Sequence, residues 1–378
     1  MKIVIAIDSF KGCMTTNEVS QAVEKGIKQV YEDANIIKVP IADGGEGTVD
    51  ILIEGLGGHF VYKEVNNPLM KPVLAKYGIL NDQTAIIEMA TCSGLPLLKE
   101  SERNPLKTTT YGVGELIKDA INKGCRDFII GIGGSATNDA GMGMLEALGY
   151  KFYDENHQLL KGIGESLNYV HHMDDSGKLK TLDECRFSVL CDVDNPFFGP
   201  KGASYVYAKQ KGADKVMVEE LDQGLKHFAS FIEETLGKNI SSFKGAGAAG
   251  GLGGGIHAFL NGELLPGIEI IFNKLDLEIK VKDADIFITG EGKMDFQSVM
   301  GKAPMGVSQL GKKHHIPVIG ISGSLMDDAY KLHQEGMTSL FSIMNYPMSL
   351  EEAMDKEKAM NFVEKNTKEL FRLIKSIK

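Results

Sequence analysis

The chain has 378 residues and a net charge of −10, long enough for two or three domains and for a core that needs no disulfide or structural metal. The acidic balance excludes a cationic nucleic-acid surface, because phosphate contacts need clustered Lys and Arg; 43% hydrophobic and 24% charged residues exclude wholesale disorder. The unusual features are 44 glycines, well above the ~7% of an average protein, and no tryptophan.

Along the chain, residues 3–7 form an apolar run ended by Asp8 and Ser9. The run predicts a strand; it is too short for a signal-peptide core and lacks a small-residue cleavage site. Val19, Ala22, Val23, Ile27 and Val30 recur at helical spacing and predict an amphipathic helix. A second such stripe carries Val113, Leu116, Ile117, Ala120 and Ile121, and a strand at 127–132 then stops at Gly133, Gly134 and Ser135. Residues 150–153 run into Asp154, Glu155, Asn156 and His157, which read as a hairpin turn. The strand at 187–190 ends at Cys191 and Asp192, and a third helical stripe follows on Leu221, Leu225, Phe228 and Ile232. Strands at 286–289 and 318–321 end at Gly290-Glu291 and Ser322-Gly323. Residues 351–378 form a mixed-charge amphipathic helix with Phe362, Val363, Leu370, Phe371 and Ile374.

Short apolar strands alternating with helices predict βαβ units and parallel sheets, an α/β fold. Ligands of such sheets gather at the carboxyl ends of the strands, where the polar and glycine-rich residues of this chain cluster. No run approaches the ~18 apolar residues of a membrane helix. The cysteines at 13, 92, 125, 185 and 191 are scattered and free of any C-x-x-C pair, which predicts reduced thiols in a cytoplasm. The pairs His171-His172 and His314-His315 are adjacent, not three or four apart as two ligands on one helix face would be.

Two glycine-rich stretches could cradle phosphate. The first, 131–143, leaves a strand and enters a helix; Gly133 and Gly134 admit an anion to the backbone, and Ser135, Thr137 and Asn138 add donors. It also fits G-x-G-x-x-A over 131–136 with Asp154 at the distance of a ribose-binding acid, so a nicotinamide-dependent oxidoreductase is an alternative. The second stretch, 245–255, includes Gly250, Gly251 and Gly253 and reads equally as a ligand loop or a flexible hinge. A P-loop spacing at 306–313 puts Lys313 where Ser or Thr would hold magnesium, on residues that look helical, and is set aside.

Four motifs supply carboxylates, with lysine in the first and last and glycine in all but the third: Asp8-Ser9-Phe10-Lys11-Gly12, Asp43-Gly44-Gly45-Glu46-Gly47-Thr48, Asp192-Val193-Asp194-Asn195-Pro196 and Glu291-Gly292-Lys293-Met294-Asp295. Phosphoryl transfer needs this inventory: carboxylates for Mg²⁺, lysines for transferring charge, an acid to take the hydroxyl proton and glycines to admit phosphates. Single strand-end Asp residues also serve as helix caps.

Together with GIGGSATNDAGMGML at 131–145, GAGAAGGLGGG at 245–255, TGEGKMDFQS at 289–298 and GKAPMGV at 301–307, these motifs resemble the bacterial glycerate kinase family of type 1, from the first strand to past residue 320. The resemblance implies ATP-dependent phosphorylation of D-glycerate with Mg²⁺, giving 2-phosphoglycerate; 3-phosphoglycerate is the alternative product. It implies two α/β domains with a cleft between them: a discontinuous Rossmann-like domain of about 1–62 plus 283–378, and an inserted flavodoxin-like domain of about 63–282. On this reading Gly133, Gly134, Ser135, Thr137 and Asn138, with Gly250, Gly251 and Gly253, hold the nucleotide. Asp192 and Asp295 place Mg²⁺, Lys11 and Lys293 stabilise charge, and Asp43 accepts the hydroxyl proton. Asp8, Asp194, Glu291 and Lys302 are alternates. The expected partners are a small-molecule substrate and a nucleotide, with no nucleic acid and no membrane; the sequence carries no signal for oligomeric state. A non-catalytic small-ligand sensor would explain the glycine loops but not the Lys–Asp motifs.

Overall fold

The structure, a computed structural model, describes residues 1–41 and 47–377. The α/β class read from the sequence holds. The chain forms two compact units, Met1–Asp43 with Ile268–Lys378, and Gly44–Gly267.

The discontinuous unit is built on a five-stranded parallel sheet. From edge to edge its strands are Met337–Ser342, Val318–Leu325, Ile286–Met294, Lys2–Ile7 and Asn35–Lys38. Ile3, Val4, Ile5, Ala6 and Ile7 are all fully buried, so the interior strand Lys2–Ile7 is covered on both faces and reads as one continuous apolar run. Helix Thr16–Lys28 starts at a reciprocal cap: Thr15 Oγ1 accepts from the Glu18 N–H at 3.3 Å, and Glu18 Oε2 accepts from the Thr15 N–H at 2.9 Å. Its Val19, Val23 and Ile27 join Val363 and Phe371 of helix Lys356–Ile377 in the core against one face of the sheet. Gly26 makes the close crossing possible, since a Cβ there would lie 2.5 Å from the Glu364 carbonyl.

Counted within this unit, the strand order is 2-1-3-4-5, the flavodoxin-type order, where the sequence reading put a Rossmann-like sheet. The order reverses between Lys2–Ile7 and Ile286–Met294, which makes their carboxyl ends the switch point where ligands of such sheets bind.

The inserted unit has a six-stranded mixed sheet. Glu263–Leu265, Arg186–Leu190, Asp127–Gly131 and Thr84–Glu88 run parallel, and Pro72–Leu80 and Gly58–Asn66 complete it antiparallel. Its strands lie in chain order without a reversal, which differs from the flavodoxin-like order expected of it. Local apolar runs specify strands, but neighbours in a sheet are chosen by long-range pairing, and no short motif encodes that. The compact units divide at 43/44 and 267/268, where the sequence reading put joins at 62/63 and 282/283. Gly58–Asn66 pairs along its whole length with Pro72–Leu80, and Ile268 and Phe272 pack under Gly306 of the discontinuous unit.

Register aligns the carboxyl ends of the inserted sheet: Glu88 faces Gly131, Gly131 faces Leu190, and Leu190 faces Leu265. The 132–141 turn and Cys191-Asp192 therefore leave neighbouring strands at the same sheet edge. Among the described residues, no helix is long and apolar enough to cross a membrane.

Candidate active site

In the discontinuous unit the switch point opens into a cavity of about 1120 Å³. Asp8, Lys11, Glu291, Lys293, Asp295 and Lys302 line it. Lys11 sits on a tight turn closed by Phe10 N–H to Met14 O at 2.9 Å and Cys13 N–H to Phe10 O at 2.8 Å. Gly292 lets the neighbouring strand pass beneath that turn, since a Cβ there would lie 3.2 Å from Phe10 Cα.

Asp295 is fixed from two sides: its Oδ1 accepts from the Gln297 N–H at 2.9 Å, and Lys293 Nζ lies 3.0 Å from its Oδ2. The Gln297 N–H, with Lys293 and then Lys302, holds this carboxyl below the usual carboxylate range. Ser298 Oγ accepts from the Asp295 N–H at 3.0 Å and donates to Glu291 Oε1, tying the loop to the strand end. Asp8 is buried, with its Oδ1 accepting from the Ser9 N–H at 2.6 Å. Asp43 lies outside the described residues.

In the inserted unit, Gly133 and Gly134 are exposed at the mouth of the turn, while Ser135, Thr137 and Asn138 are buried behind them. Thr137 Oγ1 and Asn138 Oδ1 have no hydrogen-bond partner among the described residues. A buried hydroxyl and a buried amide oxygen left without partners are costly and point to an additional polar group. Asn138 Nδ2 donates to Ser204 Oγ at 3.3 Å.

The glycine run at 245–255 is packed. Gly250, Gly251 and Gly253 are buried. A Cβ on Gly250 would lie 2.1 Å from the Thr137 carbonyl, and one on Gly251 2.9 Å from the Phe197 ring. Gly250 O accepts from the Ala140 N–H at 3.0 Å, and Gly253 lies in the first turn of helix Leu252–Leu260. Gly250 thus lies against Thr137 and Asn138 and Gly251 against Ala140, while Gly253 packs on Gly245 and Leu264.

Asp192 is exposed at the adjacent strand end, its Oδ1 accepting from the Gly267 N–H at 2.9 Å. Asp194 pairs with Lys244 at 3.6 Å, both well exposed. Asp192 and Asp295, expected to share one metal ion, belong to different compact units. Among the described residues, no three His, Cys, Asp or Glu side chains form a group able to hold a metal ion. Asp154 closes a hairpin: its Oδ1 accepts from the Asn156 and Gln158 N–H groups at 2.9 and 2.8 Å. That is the turn the sequence pattern suggested, and it occupies the acid a dinucleotide site would need for ribose.

Two buried ionisable residues went unnoticed in the sequence. Asp139 is fully buried and accepts from Thr110 N–H (2.7 Å), Thr110 Oγ1 (2.8 Å), Gly143 N–H (3.2 Å) and Gly141 N–H (3.3 Å). Burial nonetheless pushes its carboxyl up. Lys211 is 1% exposed and donates from Nζ to the Thr137 carbonyl at 2.6 Å. Burial brings this ammonium from the usual 10.5 down to about 7, with Asp139 pulling it back up. Between those values the unfolded chain holds a proton that the folded chain has released, so stability rises with pH there, by at most about 1.4 kcal/mol per pH unit. Melting curves between about pH 7.5 and 9.5 check this: the wild type gains stability relative to Lys211→Met as the pH rises.

Comparison with known proteins agrees over the whole length. The glycerate kinase family model matches residues 3–375. The chain is 47% identical over 354 residues to a glycerate 2-kinase of Escherichia coli (strain K12), covering 93% of each protein. It is 44% identical over 379 residues to a glycerate kinase of Bacillus subtilis (strain 168), covering 100% of this chain and 99% of the relative. A crystal structure assigned as glycerate kinase 2 from Salmonella typhimurium LT2 superposes with a TM-score of 0.91 at 42% identity, over 100% of this chain and 98% of the other.

Proposed function

Because this chain belongs to the glycerate kinase family and is a kinase, we propose that it phosphorylates D-glycerate from ATP with Mg²⁺ and yields 2-phosphoglycerate. The observation that carries this reading is the convergence of Lys11, Lys293, Lys302 and Asp295 on one cavity at the carboxyl edge of a parallel sheet. The name glycerate 2-kinase borne by the Escherichia coli relative supports attack by the 2-hydroxyl. The two compact units are the counterparts of the family's two domains, one split by the other.

Lys11 and Lys293 stabilise charge on the transferring phosphoryl group and the glycerate carboxylate. Gly133, Gly134, Ser135, Thr137 and Asn138 take the nucleotide phosphates, with partnerless Thr137 Oγ1 and Asn138 Oδ1 as the polar atoms that most need company. Gly250, Gly251 and Gly253 hold that turn in place. Asp192 and Asp295 supply the hard carboxylate oxygens that Mg²⁺ takes alongside substrate phosphates; the ion, when bound, neutralises phosphate charge. Asp43 accepts the proton of the attacking hydroxyl. Five free thiols suit a reducing compartment, so the protein works in the cytoplasm.

One coupled assay tests the activity and the product. D-glycerate and ATP are supplied, ADP release is followed, and enolase is added with and without phosphoglycerate mutase. Glycerate-dependent ADP release with product consumed by enolase alone is expected. Dependence on the mutase makes the product 3-phosphoglycerate, and no ADP release rejects the reading.

A further inference from the structure

Around the 133–138 turn, successive backbone carbonyls are tied into the protein. Gly134 O accepts from the Leu95 N–H at 2.8 Å, Ala136 O from Thr108 Oγ1 at 2.9 Å, and Thr137 O from Lys211 Nζ at 2.6 Å. Carbonyl oxygens committed inward cannot oppose an anion, so the turn's exposed glycine backbone and the Thr137 hydroxyl are what it offers one, the Ala136 N–H being bonded to the Ser93 carbonyl at 2.9 Å. Two of these three ties are neutral. The third is an ammonium, buried at considerable cost, on the short turn Lys209–Lys211. A neutral donor would satisfy one carbonyl as well. A lysine adds a charge, and the charge that faces it is the buried carboxylate of Asp139 on the same turn.

We propose that Lys211 is a positioning residue for the nucleotide phosphates: its buried ammonium holds the Thr137 carbonyl away from the ligand and sets a positive charge behind the turn. The inference rests on the reading that this turn binds phosphate. Lys211 touches no substrate itself; it acts through Thr137. Since burial lowers its proton affinity to about neutrality, the charge is present on the acid side of pH 7 and fades above it.

The test uses the full-length enzyme and three variants, Lys211→Met, Lys211→Gln and Ser135→Ala, with KM for ATP, KM for D-glycerate, kcat and melting temperature as readouts. At about pH 6.5 Lys211→Met is expected to raise KM for ATP about tenfold or more, the scale of one hydrogen bond to a charged group. KM for glycerate and kcat stay within about twofold. Lys211→Gln, which keeps a donor without the charge, falls between. The gap from wild type narrows by about pH 8.5, as the wild-type ammonium loses its proton. Ser135→Ala separates the inference from its premise. A raised KM for ATP in Ser135→Ala with none in the folded Lys211 variants overturns the role of Lys211 alone. No change in any of the three rejects the turn as the phosphate site. Recovery of both Lys211 variants only as unfolded protein makes Lys211 a stability residue and overturns the inference.

Discussion

Lys11→Met is expected to lower kcat by about 10²–10³-fold, the usual loss when one charge-stabilising donor is removed, while the melting temperature moves by no more than ~2 °C. The separation follows from where Lys11 sits. Its side chain is exposed, and the turn that presents it is held by backbone bonds among Phe10, Cys13 and Met14, none of which uses the ammonium. Methionine keeps the length and apolar stem and removes the charge. Steady-state kinetics at saturating ATP, Mg²⁺ and D-glycerate, beside a thermal melt, decide the matter. A kcat within about threefold of wild type removes Lys11 from the chemistry.

Gly250→Ala is expected to be a strongly damaging small substitution in the inserted unit. Its φ of +68° is a conformation that costs other residues about 1–3 kcal/mol, and its Cβ would fall 2.1 Å from the Thr137 carbonyl and 2.6 Å from Asn138 Cα. Those are backbone atoms that cannot swing aside, so the turn itself must move. Gly237→Ala is the matched control: the same region at φ +67°, at the end of helix Lys215–Leu236, with nothing within 4 Å of the added Cβ. The control isolates the backbone term, and Gly250→Ala should exceed it with a melting-temperature loss of roughly 6–12 °C and a raised KM for ATP. Equal losses for the two variants would mean that Gly250 does not brace the turn.

What was legible in the sequence follows a physical division. Buried parallel strands announce themselves as continuous apolar runs, and those at 3–7, 127–132, 187–190, 286–289 and 318–321 all correspond to observed strands. The antiparallel pair Gly58–Asn66 and Pro72–Leu80 did not announce itself, because the outer strand is largely exposed and carries Lys63 and Glu64 in succession. Its turn left a signal in Asn67-Pro68, where Asn67 Oδ1 accepts from the Leu69 and Lys71 N–H groups at 2.9 and 3.0 Å. Lys211 was hidden for a different reason: in Lys209-Gln210-Lys211-Gly212 it looks like a solvated charge, and only tertiary packing buries it. The run at 245–255 was legible as something unable to pack by side chains, yet its glycines serve the close approach of backbone to backbone. The lysine–carboxylate cluster at the switch point was readable because strand ends of parallel sheets share one edge, whichever strands prove to be neighbours.

The pairing of Lys2–Ile7 with Ile286–Met294 places an interior strand of the discontinuous sheet about 280 residues before one of its two neighbours. On a ribosome adding ~5–20 residues per second, that strand waits roughly 15–60 s for its partner. All the residues of the inserted unit emerge in the meantime and can complete their own sheet. Until then Ile3, Ile5 and Ile7 and the apolar stripe of Thr16–Lys28 have only each other and strand Asn35–Lys38 to pack against, and helix Lys356–Ile377, which covers them, is the last to be made. Birth order thus makes the earliest-synthesised core the last to close, and the nascent N-terminal segment is the part of the chain that must be shielded longest.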